Sequence, residues 1–280
     1  MRLVSNIVAP RRRGYDILYK YTVVRIATGV TQRHENTMNV MNNYFSKYYL
    51  TESQLSTAAG IGIDELDRMI HQRLLPAPAY VVTESGEVIS FVFGKMAAVG
   101  ALPGRYFHPA QTVWIEIARD IIATWPANTA AARLKQRFTS RYADALAKLN
   151  LTTWRLYDSF DEHGAPISAS LQARTESAWQ SFLNGTFSLC VANPISEAHI
   201  AHKEVLQEKL TQQSENGKKT MYSANQAAAM HELINAYDVA AMPFSPAEYA
   251  LSSRKRLVDD LRSNITIAEE GMAIEGHRIT

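Results

Sequence analysis

The stretch over residues 50–76, LTESQLSTAAGIGIDELDRMIHQRLLP, constrains the fold of this chain more than any other. Thr51 with Gln54 three residues later is a capping box, each side chain taking the other's backbone amide. It opens a helix over 53–59. Gly60 stops that helix, because glycine enters the left-handed region without a Cβ penalty. Ile61 and Ile63 flank a tight turn, and Gly62 or Asp64 opens a second helix over 64–72. Leu55, Ala59, Ile61, Leu66 and Met69 then close a small core. This is helix-turn-helix spacing. Pro76-Ala77-Pro78 ends the second helix, and YVVTESGEVISFVF reads as two strands, 80–82 and 88–93, around Ser85-Gly86. With the amphipathic helix of Val40, Met41, Tyr44, Phe45 and Tyr48 before it, the unit is a winged-helix-like module over 39–95.

Such modules usually read DNA through the first residues of the second helix. Here those residues are Asp64, Glu65 and Asp67, with Arg68 the nearest cation, and the wing adds Glu84 and Glu87. Carboxylates facing a phosphate polyanion are unfavourable, since phosphate contacts supply most non-specific affinity. Two uses therefore stand side by side: DNA recognition, and a packing or substrate-docking module, with the charge favouring the second.

The rest of the chain has helical periodicity. Val113, Trp114, Ile117, Ile121 and Ile122 form one stripe ending at Trp125-Pro126. Asn128 caps a further helix through Leu134, Phe138, Tyr142, Leu146 and Leu149. Leu171, Ala178, Trp179 and Phe182 mark a helix over 170–183, and Ser196 caps another. Ser245, Pro246 and Glu248 have the pattern of a helix start. The expectation is a mainly α protein: the winged-helix-like module with its small β-hairpin, packed on a helical domain over 96–262, then a loose tail over 263–280.

Charge and composition narrow the classes. Residues 1–37 carry seven Lys/Arg against Asp16 and Glu35, while the rest holds 22 basic and 25 acidic residues. A basic extension over 1–38, taken as disordered, suits phosphate on nucleic acid or lipid. It has no apolar h-region with a cleavage site. Because Met38 begins the first patterned helix, it reads equally as sequence upstream of the true start. Cys190 is the sole cysteine, which excludes a disulfide scaffold and suits a reducing, cytoplasmic setting. No apolar run approaches membrane-spanning length.

Candidate chemistry is dispersed. His199 and His202 share a helix face downstream of Cys190. Two ligands at that spacing fall short of a zinc site. Cys190 with a histidine base has the residue types of a nucleophilic pair, but between Leu189 and Val191 it also fits a core position. Asp158, Asp161, Glu162 and His163 share a loop whose spacing matches no calcium loop, so it reads as a polar connection. Ser252, Ser253, Arg254, Lys255 and Arg256 offer hydroxyls and guanidinium groups to phosphate. They equally form a surface helix with Lys255–Asp259 and Arg256–Asp260 pairs. Ser252 and Lys255 fit S-x-x-K without its companion motifs. Arg133, Lys135, Arg137 and Arg141 make a basic helix face. A glycine-rich phosphate loop, a CxxC pair and HExxH are all missing, which argues against nucleotide hydrolysis, structural zinc and zincin chemistry.

In their order along the chain, several short motifs resemble an uncharacterised bacterial family of natural-product biosynthesis proteins. They are Leu55 with Ala59-Gly60, Pro76-Ala77-Pro78-Ala79-Tyr80, and Tyr106-Phe107-His108-Pro109 with Trp114. Phe182-Leu183-Asn184-Gly185-Thr186 with Cys190, Lys203-Glu204, Pro243-Phe244-Ser245-Pro246 and 252–256 follow. The likeness spans 44–262. The chain is also similar to the seryl-tRNA-dependent transferases of valanimycin-type azoxy biosynthesis. That resemblance implies transfer of an aminoacyl group, such as seryl, from charged tRNA to a hydroxylamine or similar small acceptor. It carries over no catalytic residue. An activated ester needs positioning, a modest base and phosphate contacts, with no cofactor or metal. In this reading His199, His202 or His108 takes the acceptor proton, with Ser252 and Ser253 as further candidates. Arg254, Lys255, Arg256, Arg133, Arg137, Arg141 and Lys203 hold phosphates. Tyr80, Tyr106 or Trp114 stacks on the terminal adenine, and Asn184 contacts substrate. The alternatives are a winged helix-turn-helix regulator of duplex DNA and a non-catalytic partner protein.

Overall fold

A computed structural model of the chain describes residues 40–97 and 101–268. The basic arm expected over 1–37 and the end of the chain from 269 lie outside the described residues. All described residues belong to one compact unit. The architecture is mainly α-helical with a small antiparallel sheet.

Helix α1 (Val40–Tyr48) leads through strand β1 (Leu50–Thr51) into α2 (Glu52–Ala59) and α3 (Ile63–His71). The Thr51/Gln54 capping box forms in both directions, and Gly60 ends α2 at φ +62°. Leu55, Ile61, Leu66 and Met69 are buried as expected. The hairpin grows beyond expectation. β2 (Tyr80–Val82) and β3 (Glu87–Ser90) are joined by β4 (Gly94–Ala97) and β5 (Gly104–Phe107), in the order β1-β5-β2-β3-β4. The sheet therefore crosses the boundary expected at 95/96.

Helices α4 (Gln111–Thr124) and α5 (Ala127–Thr152) meet at Trp125-Pro126. The buried face of α4 is Gln111, Trp114, Ile115 and Ala118, rotated from the expected stripe, and Ile122 stays exposed. On α5, Leu134, Phe138, Tyr142 and Leu146 are buried at the expected spacing. α6 (Ser168–Leu183), α7 (Thr186–Cys190) and α8 (Glu197–Gln213) follow, and α5 packs along α8. The main core runs without a break from Phe45, Tyr80 and Phe107 through Trp114, Phe138 and Trp179 to Ile200. A second, smaller core joins the end of α8 to α9 (Ala224–Ala240) and the chain beyond it through Leu210, Tyr237, Leu257 and Leu261.

The segment after α9 departs from its sequence reading. Ser245, Pro246 and Glu248 start no helix: the chain turns, makes a 3-10 turn over Tyr249–Leu251, and becomes helical only after Ser252. The reason is Glu248, which is buried and accepts from Tyr80 Oη (2.7 Å), Ser90 Oγ (2.6 Å) and Ser245 Oγ (2.9 Å). A carboxylate satisfied by three hydroxyls in the core is not available to cap a helix. Lys255–Asp260 is a π-helix, continued by α10 (Leu261–Asn264). Its wider turn replaces the expected four-residue charge pairs with a Lys255–Asp260 pair five residues apart. Beyond 262, where a loose tail was expected, β7 (Thr266–Ile267) pairs in parallel with β6 (Met221–Tyr222).

Candidate functional site

The backbone around α7 and at the start of α8 sets up an open groove. Gly185 begins α7 at φ +83°, and a Cβ there would lie 2.9 Å from both the Ala77 and Pro78 carbonyl oxygens. The Pro76-Ala77-Pro78 and Asn184-Gly185 motifs are thus two sides of one contact. Ala77 also donates its amide to the Leu183 carbonyl at 2.9 Å. After α7 the chain turns, and Ser196 caps α8. The 191–193 loop, the first turns of α8 and the end of α9 leave a groove of about 830 Å³. Its polar groups are His199, His202, Asn193 and Asn235, set among Val191, Ala236 and Val239.

Both histidines are exposed on this groove, sharing the face that their spacing predicts. His199 Nδ1 is hydrogen-bonded to Ser196 Oγ at 2.7 Å; in the tautomer whose Nδ1–H donates to that hydroxyl, Nε2 is the nitrogen that accepts a proton. Partial burial, and secondarily the nearby His202, hold the His199 ring below the ordinary histidine pKa. A neutral, oriented imidazole at neutral pH is suited to accept a proton.

His108, the third histidine candidate, lies in the core behind the groove-lining 191–193 loop. It is buried, accepts the Ala110 amide at Nδ1 (3.0 Å), and packs edge-on against Tyr49. Burial pushes its pKa down to about 4, partly offset by a hydrogen bond with the Ala192 backbone. It is a core residue. The stacking candidates are core residues too. Tyr80 donates to Glu248, Tyr106 stacks on Phe45 at 4.2 Å, and Trp114 donates to the Pro194 carbonyl at 2.7 Å. All three are buried and offer no free face to an adenine. Asn184 Oδ1 is taken by the Thr186 amide and hydroxyl, a turn cap at the start of α7.

The Ser-Ser-Arg-Lys-Arg cluster is largely consumed by the fold. Ser252 is buried and caps the following helix by accepting the Lys255 amide at 3.1 Å. Ser253 Oγ is bonded to Tyr237 Oη at 2.8 Å. Arg254 pairs with Asp238 and donates to the Asp238 and Ala241 carbonyls, tying the segment to the end of α9. With Lys255 paired to Asp260, Arg256 is the exposed one of the three cations. On α5, Arg137 pairs with buried Glu197 and Lys135 with Glu176. Arg133 lies over the Trp125 ring at 3.9 Å, and Arg141 is exposed.

Lys203 points inward rather than toward phosphate. It is buried, with Nζ 2.9 Å from Glu204 Oε1, bonded to Gln207 Oε1, and 3.6 Å from Cys190 Sγ. Burial disfavours its charge, but Cys190, Glu204 and Tyr237 outweigh burial and hold it above the ordinary lysine range. Burial in turn raises the Cys190 thiol, so this pair is a structural anchor and no activated nucleophile. In the 157–167 loop, Asp158 pairs with Arg174 and Asp161 binds loop amides. Among the described residues no group of three or more His, Cys, Asp or Glu is placed to hold a metal ion.

Sequence reasoning missed Asn193 and Asn235 in the groove. It also missed a second cavity, about 720 Å³, between α6 and α8, where Arg174, Glu204 and Glu208 converge. Its signal was present as a face of α6 made only of serine and alanine around Arg174.

Residues 134–266 match a family of unknown function, DUF6058, a stretch that contains both cavities. No curated protein and no solved structure matches the chain. Among the described residues no helix is long and apolar enough to cross a membrane.

Proposed function

We propose that this is a natural-product biosynthesis enzyme that transfers an aminoacyl group from charged tRNA to a hydroxylamine or similar small acceptor. The observation that carries the reading is the groove of about 830 Å³ with His199 oriented by Ser196 and kept neutral. In this mechanism the acceptor lies in the groove and gives its proton to His199 Nε2 as its oxygen attacks the ester carbonyl. A new ester forms, and the bond to the tRNA ribose oxygen breaks. The ribose oxygen leaves with the proton that His199 returns. His202 and the two asparagines are at hand to orient the acceptor. The acyl donor itself comes from the resemblance to seryl-tRNA-dependent transferases. Arg133, Arg141 and Arg256, exposed in this structure, are the side chains left to contact phosphate.

The strand order β1-β5-β2, with β1 between the first two helices, supports a winged-helix reading of 40–107 in which β3 and β4 extend the wing. A DNA-reading use is disfavoured by charge. Residues 50–107 carry six acidic against four basic side chains. Arg105 is engaged by Glu52 and Asp67, and Lys95 by Glu87. The module serves here as a scaffold.

The test is acyl transfer from serine-charged tRNA to an N-alkylhydroxylamine, followed by mass spectrometry. Wild type should form the O-acyl product above the uncatalysed rate, and His199→Gln should lose about a hundredfold, the usual worth of a positioned base. Equal rates for the two proteins would remove His199 from the mechanism.

A further inference from the structure

The cleft between α6 and α8 has no part in the transfer reaction. Its α6 wall is Ser170, Ala173, Ser177, Ala178 and Ser181, side chains too short to reach α8, and this keeps about 720 Å³ open. The opposite wall presents Glu204, Gln207 and Glu208, with Tyr142 and Phe187 also lining the cleft. Arg174 crosses the gap. It donates to Glu208 Oε2 at 2.6 Å and to Asp158 Oδ1 and Oδ2 at 3.1 and 3.3 Å.

The two carboxylate partners of Arg174, which also bonds the Tyr142 hydroxyl, are not equivalent. The Glu208 side chain is 27% exposed on a helix, whereas that of Asp158 is 65% exposed on a loop. An exposed loop carboxylate contributes little to such a pair. One edge of a guanidinium that is itself only 18% exposed is therefore exchangeable for a carboxylate from outside. Glu204 is oriented by Lys203 and remains 35% exposed. Asp158, Glu204 and Glu208 against Arg174 leave the lining acidic, which disfavours a simple anion such as phosphate. A ligand that brings an ammonium together with its carboxylate matches both features.

We infer that this cleft is a binding site for a free α-amino acid, whose carboxylate replaces Asp158 on Arg174 and whose ammonium is held by Glu204 and Glu208. The serine hydroxyls of α6 face the ligand, and the remaining volume takes its side chain. The site stands apart from the His199 groove, so it does not depend on the transfer reaction.

Calorimetric titration of the full chain with serine, glutamine, leucine and phenylalanine tests this. At least one should bind with a Kd of about 1 mM or tighter, while its amide, lacking the carboxylate, and its N-acetyl derivative, lacking the ammonium, should not. Asp158→Asn should tighten binding about two- to fivefold, the fold-change expected when an exposed competing pair is removed. Ser177→Phe, at an exposed position on the cleft wall, should weaken it about tenfold or more by filling the site. Circular dichroism and a thermal melt check that each variant is folded. Absence of binding by all four up to about 10 mM, or an amide that binds as well as its parent, overturns the proposal. So does affinity unchanged in both variants.

Discussion

Burial holds the His108 imidazole neutral down to about pH 4, and this gives the fold a defined acid limb. Unfolded, the ring takes its proton near 6.5; folded, only near 4. Its contribution to stability is complete above pH 6.5 and falls as pH drops toward 4, by about 3 kcal/mol at the limit. Glu197 and Glu248, both raised by burial, act in the opposite sense, because the folded state binds their protons first. In urea melts, His108→Gln should be less stable than wild type at pH 7, with the gap narrowing between pH 6.5 and 4. A gap constant across that range contradicts the buried neutral ring. Gly185 makes a second prediction at this scale. Its Cβ-free approach to Ala77 and Pro78 and its positive φ mean that Gly185→Ala should cost about 2 kcal/mol or more. Gly62→Ala, with open space and no positive φ, should stay within about 1 kcal/mol.

Elements set by local chemistry were legible in the sequence. The Thr51/Gln54 box, the Gly60 stop and the Ser196 cap need only residues a few positions apart, and each stands where the sequence puts it. Thr51→Ala should therefore destabilise by about 1 kcal/mol in thermal or urea unfolding, and an unchanged midpoint would mean the box is idle. Elements decided by distant partners were not legible. Ser245 and Glu248 have a helix-start pattern, yet Tyr80 and Ser90, more than 150 residues earlier, claim the carboxylate. Arg254 looked free for phosphate because its partner Asp238 lies on another helix. The π-helix over Lys255–Asp260 altered the pairing register in a way no four-residue rule anticipates. Strands β4 and β5 escaped notice because four-residue strands with Gly94 and Gly104 at their starts carry little alternation.

At the scale of the molecule, the sheet module and the helical body share one core, and the two cavities lie in the helical body, within the stretch matched by DUF6058. Half of the candidate site was readable: the face shared by His199 and His202 follows from spacing alone. The groove around it was not, since Asn193, Asn235 and Val239 come together only when α9 packs on α8. Of the cations first considered for phosphate contact, Arg133, Arg141 and Arg256 stay exposed. RNA binding is therefore the step on which the proposed transfer turns. The direct measurement is a salt-titrated binding assay comparing serine-charged tRNA, uncharged tRNA and a random DNA duplex. The account predicts tighter binding of charged tRNA than of either competitor, with a shallow salt slope of about three contacts. Preference for the duplex, or no binding to any of the three, would contradict it.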